Sequence, residues 1–185
     1  MTRVLSNIRN TVKGKILLIL AAIVGSVALP QIVHLIGTFS GTGTALGELL
    51  LPMHFFVLLA GFLAGPTAGA VTGFAAPLIS TLLSGMPRVN VLPFMMIELL
   101  GYGLIAGLLS KVRMNNLFKL LITQIGGRLL RAGAVVFSVY VLQSSAMPVA
   151  SISNMITSGL LGILLQICIL PLLLYRLKDL EKTDE

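Results

Sequence analysis

Residues 49–87 read LLLPMHFFVLLAGFLAGPTAGAVTGFAAPLISTLLSGMP, a stretch of 39 residues that contains no formally charged side chain. A helix needs about 20 apolar residues to cross a bilayer, so the stretch has room for two spans. Gly65-Pro66 lies near its middle, and glycine is common just past the end of one helix and proline in the first turn of the next. The stretch therefore predicts a tight hairpin of two membrane-spanning helices.

The rest of the chain has the same apolar character. Two further stretches without a formally charged side chain, 16–47 and 132–175, are 32 and 44 residues long. Charged residues make up 10% of the chain, whereas an ordinary soluble domain has about 25%. This composition predicts an all-α integral membrane protein, a six-transmembrane-helix bundle that forms a single membrane domain over 1–185. We expect its helices at about 16–36, 48–64, 66–84, 91–110, 117–142 and 153–175.

Basic residues are distributed unevenly between the two faces that this topology predicts. With the N-terminus inside, only Arg88 falls in an outer loop, and cytoplasmic loops carry the excess of Lys and Arg in membrane proteins. Both termini are therefore expected in the cytoplasm. A basic inner rim facing anionic lipid explains the net charge of +7, so no nucleic-acid partner is expected. The ten basic residues of the inner side are Arg3, Arg9, Lys13, Lys15, Lys111, Arg113, Lys119, Arg176, Lys178 and Lys182.

Small residues recur at four-residue spacing in several predicted helices. Such side chains let helix backbones approach closely, which favours helix association in a membrane. In the third and fourth helices we interpret them as internal packing surfaces, whereas the first helix could offer its small residues to another protein. The spaced residues are Gly65, Gly69 and Gly73, then Gly103 and Gly107, and in the first helix Ala21 with Gly25 and Ala22 with Ser26.

Two arginines, Arg128 and Arg131, lie near the middle of the fifth predicted helix, three residues apart and hence on one face. An arginine at the bilayer centre costs roughly 2.5–3.5 kcal/mol, so both are expected to face the protein interior or an aqueous cavity. Glu98 of the fourth helix lies at a similar depth and is the expected partner. This buried charge network is either a structural ion pair or a polar site near a bound solute, since two arginines against one glutamate leave one positive charge over.

Further polar side chains are predicted at the outer ends of the helices, beside a loop at 37–47 whose Gly, Thr and Ser residues suit a ligand-covering segment. A solute pocket is concave and largely apolar, with a few polar groups that fix orientation. We therefore predict a pocket at the outer ends of helices two and four to six, with Glu98 and Arg131 as its floor or as a brace beneath it. The predicted substrate-binding residues are Glu48, His54, Asn90, Phe94, Glu98, Arg131, Tyr140, Gln143, Met147 and Asn154.

Motifs for catalysis are absent from the sequence. It contains no HExxH, no GxSxG and no nucleotide-binding glycine loop followed by Lys-Ser/Thr, and His34 and His54 are its two histidines. We therefore expect no catalytic residues, no metal site and no cofactor. Energy for any transport would come from partner proteins or from an ion gradient.

Three segments carry a resemblance to a known family: 49–87, ELLGYGLIAGLL at 98–109 and GGRLLRAG at 126–133. Their joint pattern of PMH, AGxxxGPxxGxxxG and GMP resembles the membrane substrate-binding S components of energy-coupling factor (ECF) vitamin transporters. The resemblance implies a six-helix bundle with cytoplasmic termini in a bacterial cell membrane. It also implies a vitamin or vitamin precursor held near the outer face by helices four to six and the loop after helix one.

The same resemblance implies partners. In that family an Ala-x-x-x-Ala motif of helix one packs on a transmembrane coupling subunit, which docks two cytoplasmic ATPases. The matching positions here are Ala21 and Gly25 or Ala22 and Ser26, so these four are the predicted partner-binding residues. Pantothenate, hydroxymethylpyrimidine, a B6 vitamer and cobalamin all stay open as substrates. The alternatives are a stand-alone ion-coupled secondary transporter that uses the Glu98 network and, third, a small intramembrane enzyme.

Overall fold

The computed structural model describes residues 11–43, 45–144 and 146–182, with the side chains of 155, 156, 158 and 177–182 left out. Helices and the turns between them make up these residues, and no strand occurs among them. Arg3 and Arg9, which entered the orientation argument, lie outside the described residues. The helices are α1 Val12–Phe39, α2 Ala45–Leu50, α3 Pro52–Ala64, α4 Pro66–Ser84, α5 Leu92–Ser110, α6 Asn116–Tyr140, α7 Ser151–Ser158 and α8 Leu160–Lys182.

Five of the described segments are long and apolar enough to cross a membrane. They are α1, the continuous segment Ala45–Ala64 formed by α2 and α3, and the single helices α4, α5 and α6. A shorter apolar helix, Leu160–Arg176, lies within α8. A bilayer has no water in its core to satisfy free backbone groups, so helices with internal hydrogen bonds are suited to span it. The chain is a helical, multi-pass membrane protein, and the predicted all-α membrane class is confirmed at that level.

The predicted hairpin at Gly65-Pro66 is present between α3 and α4. Gly65 has φ +92°, a backbone conformation that residues with a Cβ rarely adopt, and Pro66 begins α4. Consecutive long helices therefore run in opposite directions. The turns after α1, α4 and α6 lie at one end of the bundle, while Gly65 and the 111–115 turn lie at the other.

Three helix boundaries differ from the sequence-based prediction. The predicted loop at 37–47 shrinks to a turn, because α1 continues to Phe39 and the helix formers in ALGELL make α2. The second predicted helix is broken at Leu51, which has φ +48° and precedes a proline that disfavours the α conformation at this position. The last predicted helix is split at Gly159 into α7 and α8.

Helices α4 and α5 pack with their backbones in direct contact. A methyl group placed on Gly69 or Gly103 would overlap the backbone of the other residue, and one on Gly73 would overlap that of Leu99. Close backbone approach gains van der Waals contacts that lipid cannot replace. The interpretation of these glycines as internal packing surfaces is confirmed, and it places α5 at the centre of the bundle against α3, α4 and α6.

Candidate solute-binding cavity

Three basic side chains from two other helices surround the buried carboxylate of Glu98 on α5. Its Oε2 accepts a hydrogen bond of 2.6 Å from an Nη1 donor of Arg131. Its Oε1 lies 3.6 Å from Nε of Arg128 and 3.7 Å from Nε2 of His54. Glu98 is fully buried, and a buried carboxylate is strongly destabilising without such partners. The structure thus brings together the three residues of the predicted charge network and adds His54 to them.

Aromatic packing holds His54 in this position. The ring of Tyr102, one turn along α5 from Glu98, meets the His54 ring edge to face with centroids 5.2 Å apart. On the other side of α5, Gly127 of α6 lies so close to Tyr102 that a methyl group there would come within 2.6 Å of the ring. The glycine therefore lets α6 approach α5 closely enough for its two arginines to reach Glu98.

Beside the cluster lies a cavity of about 470 Å³, a volume within the ordinary range of small-molecule sites. It opens toward the end of the bundle that carries the turns after α1, α4 and α6. Arg128, Arg131 and His54 form its floor, in contact with Glu98. The lining residues are Pro30, His34, Gly47, Glu48, Leu51, Pro52, Met53, His54, Ser80, Met86, Pro87, Arg88, Val91, Met95, Arg128, Arg131, Met147, Ser151 and Asn154.

The short helix α2 covers this cavity. Gly47 and Glu48 of α2 contribute to the lining, and Gly47 is close to the imidazole of His34 on α1. Gln166 of α8 donates a hydrogen bond of 3.2 Å to the Leu51 carbonyl at the α2–α3 break, and it accepts one of 2.6 Å from Gln124. The ligand-covering segment expected after helix one is thus a helix, tied at its end to α6 and α8.

Five of the predicted substrate-binding residues line the cavity: Glu48, His54, Arg131, Met147 and Asn154. Glu98 does not line it but lies directly behind the floor, paired with three residues that do. Side chains from α2, α3, α6 and the α7 region, far apart in sequence, are therefore brought to one site.

Four other predicted substrate-binding residues are not among those that line the cavity. Phe94 is buried with Val135 and the lining residue Met147 in an apolar cluster, and Asn90 donates a long hydrogen bond of 3.5 Å to the Ala146 carbonyl. Tyr140 is 72% exposed near the end of α6, and Gln143 lies exposed in the following turn with φ +50°. The structure therefore does not bring these four residues into the lining with the other predicted residues.

Sequence reasoning missed several lining residues. His34 of α1, Met86-Pro87-Arg88 after α4 and Met95 of α5 all line the cavity. The GMP motif is part of the family resemblance, and it could have indicated Met86 and Pro87 as lining residues. Sequence reasoning also missed Gly159, which is not a lining residue but lies close to Arg128. A methyl group on Gly159 would overlap the guanidinium of Arg128.

The small residues of α1 face the protein itself. Ala22 and Ser26 are buried, and the Ser26 hydroxyl donates a hydrogen bond of 3.4 Å to the Met53 carbonyl of α3. Gly25 lies against the ring of Phe56. Among the four predicted partner-binding residues, Ala21 alone is exposed. Gly25 and Ser26 thus contact α3 and Ala22 is buried within the chain, while the partner-binding role of these residues stays a prediction.

This packing predicts opposite outcomes for two neighbouring substitutions. Gly25→Leu should lower the stability of the isolated chain by about 1–3 kcal/mol, because its side chain must displace Phe56 from a packed position. The new side chain in Ala21→Leu would point outward. This substitution should change the stability of the chain by no more than about 0.5 kcal/mol. Thermal melting of the two variants in the same detergent measures the difference. Equal melting temperatures for Gly25→Leu and the parent chain would contradict this α1–α3 contact.

Comparisons with protein-family models, with curated proteins and with solved structures give no match to this chain.

Proposed function

We propose that this chain is the substrate-binding and translocation subunit of an ECF-type ATP-driven importer, with a vitamin or vitamin precursor as its solute. The observation that carries the proposal is the cavity itself. Its size, its cover α2 and its mixed apolar and charged lining are those expected of a small-molecule site between membrane helices. In this proposal the chain binds the solute, while a transmembrane coupling subunit and two ATPases supply the energy.

The resemblance to ECF S components gains support from where its motifs lie. Pro52, Met53 and His54 of PMH line the cavity, as do Met86 and Pro87 of GMP. The glycine pattern between them packs α4 against α5. Two parts of one sequence pattern thus have two separable roles, one in the site and one in the bundle that holds it.

The proposal places the cavity at the outer face of a bacterial cell membrane, with both termini in the cytoplasm. The support is the sequence asymmetry of ten basic residues against Arg88. Cavity and termini would then lie at opposite faces, as solute capture from outside requires. Single cysteines introduced at positions 5 and 180, in a chain whose Cys168 is replaced by Ala, should resist a membrane-impermeant maleimide in intact cells. A cysteine at position 41 should react, and labelling at 5 and 180 would overturn the orientation.

Co-purification and uptake test the importer proposal directly. A tagged chain expressed in its native host should bring down a membrane coupling protein and two ATPases. Uptake in reconstituted vesicles should then require ATP and those partners. Purification of the chain alone, together with uptake that persists without ATP, would overturn the proposal in favour of a secondary transporter.

That secondary transporter is the second candidate, and the Glu98 cluster favours it. Ionisable residues inside membrane helices mark ion pathways and proton relays, and Glu98 lies beside His54, Arg128 and Arg131. In that case an imposed proton or sodium gradient should drive uptake by the isolated chain in vesicles. The importer proposal expects no response to either gradient.

A further inference from the structure

We infer that the solute bound in this cavity is an anion, whose carboxylate or phosphate group contacts Arg131 and Arg128 while its apolar body lies against methionine side chains. The inference rests on the proposed solute-binding function and adds the chemical class of the solute. Three observations support the inference: the net positive charge of the cavity floor, the burial of the charged side chains there, and the largely apolar lining above the floor.

The floor has one more positive charge than negative. Arg128 and Arg131 face the single carboxylate of Glu98, and His54 adds no negative charge to it. The sequence supplies no further carboxylate for this region, because apart from Glu48 and Glu98 every Asp and Glu lies at position 179 or beyond. Glu48 and Arg88 also line the cavity, but both are exposed, and solvent screens exposed charges.

The floor is largely removed from water. The side chains of Arg128 and Arg131 are 15% and 13% exposed, and that of Glu98 is fully buried. A net charge in such surroundings loses hydration, and an opposite charge at close range regains much of that energy. Arg131 uses Nη1 for Glu98, while its buried Nε has no hydrogen-bond partner among the described residues. A guanidinium has five N–H donors, so an anion on the cavity side is compatible with the bond to Glu98.

Above the floor the lining is largely apolar, with polar side chains such as Ser80 and Asn154 among the apolar ones. Met53, Met86, Met95 and Met147 line the cavity from four separate segments. Methionine side chains are flexible and polarisable, and they pack well against irregular or aromatic groups. The cavity therefore suits an amphiphilic solute with its charged group at the floor and its apolar part against these methionines.

The charge of the floor can be varied by isosteric or near-isosteric substitutions. Glu98→Gln raises the net charge by one, Arg131→Gln lowers it by one, and the double variant restores the original value. The preference for an anion over its uncharged counterpart should rise and fall with this net charge. Loss of a hydrogen bond between charged groups weakens binding by about tenfold to a hundredfold, which is the expected fall for Arg131→Gln. The preference should rise in Glu98→Gln and return toward the parent value in the double variant.

The experiment uses the full chain purified in an uncharged detergent. Mass spectrometry of aqueous and organic extracts identifies any retained molecule. Titration then uses two matched pairs of probes, pantothenate with pantothenol and pyridoxal 5′-phosphate with pyridoxal, with thermal melting as a parallel readout of folding. Arg113→Gln, in the exposed 111–115 turn at the opposite end of the bundle from the cavity, serves as the control variant and should change the preference by less than about threefold, because solvent screens an exposed charge.

The outcomes separate this inference from the proposed function. A retained water-soluble acid, or an acid probe bound at least tenfold more tightly than its counterpart with the expected order of variants, supports both. A retained neutral or cationic solute, or a preference that a folded Arg131→Gln chain keeps, overturns the anion and leaves solute binding intact. An anionic lipid in the organic extract as the sole retained molecule supports the anion site and overturns import of a soluble vitamin. No retained molecule and no probe binding overturn the solute site and this inference with it.

Discussion

Glu98→Leu is expected to lower the stability of the folded chain by about 3–5 kcal/mol, the range found when one partner of a buried ion pair is removed. Arg128 and Arg131 would stay buried without their carboxylate, and leucine offers no acceptor to the Nη1 donor of Arg131. Thermal melting in detergent and the yield of monodisperse protein in size-exclusion chromatography measure the loss.

Glu48→Leu is the matched control for this prediction, because it makes the same chemical change at an exposed carboxylate of the same cavity. Exposed charges contribute little to stability, so a change within about 0.5 kcal/mol is expected. If the two variants melted at the same temperature, Glu98 would not carry the ion pairs described above.

Gly103→Ala should also destabilise the bundle strongly, by about 3 kcal/mol. One added methyl group overlaps the backbone of Gly69, and backbone atoms in a packed helix cannot move aside as the end of a side chain can. Helices α4 and α5 would have to separate along their length. Because α5 also carries Glu98, the cavity floor should be disturbed as well, so weakened binding of any retained solute is expected beside the lower melting temperature.

Gly133→Ala provides the matched control on α6. This glycine is exposed, and a methyl group there meets no atom of the described residues within 4 Å. Alanine favours helix over glycine by about 1 kcal/mol, so stability should be unchanged or slightly raised. A Gly103→Ala chain as stable as Gly133→Ala would show that α4 and α5 are farther apart than the structure has them.

The short motifs that carry the family resemblance lie in two parts of the structure. PMH and GMP lie at the cavity, while the glycines lie at the α3–α4 turn and the α4–α5 contact. The same scaffold residues would serve solutes of different chemistry. Under the proposed function the charge of the floor would distinguish among them, so the variants of Glu98 and Arg131 are the informative ones.

The sequence by itself determined the features that depend on local composition. Apolar length predicts the spans, Gly65-Pro66 predicts the hairpin between α3 and α4, and the cost of charge in a membrane predicts that Glu98 and the two arginines lie together. Each of these follows from the properties of one segment or from the depth of a residue along its helix, which can be counted from the sequence.

Only the tertiary structure decided which way each helix faces. A membrane helix is apolar toward lipid and apolar toward its neighbours, so hydrophobic periodicity carries little information about its rotation. For that reason Tyr140 and Phe94 were assigned to the cavity and lie outside it, while His34 and Met95 line it. For the same reason the sequence could not show that Ser26 of α1 contacts the Met53 carbonyl of α3. Rotation is determined by close contacts between distant segments, such as Gly69 with Gly103, and these form only when the bundle is assembled.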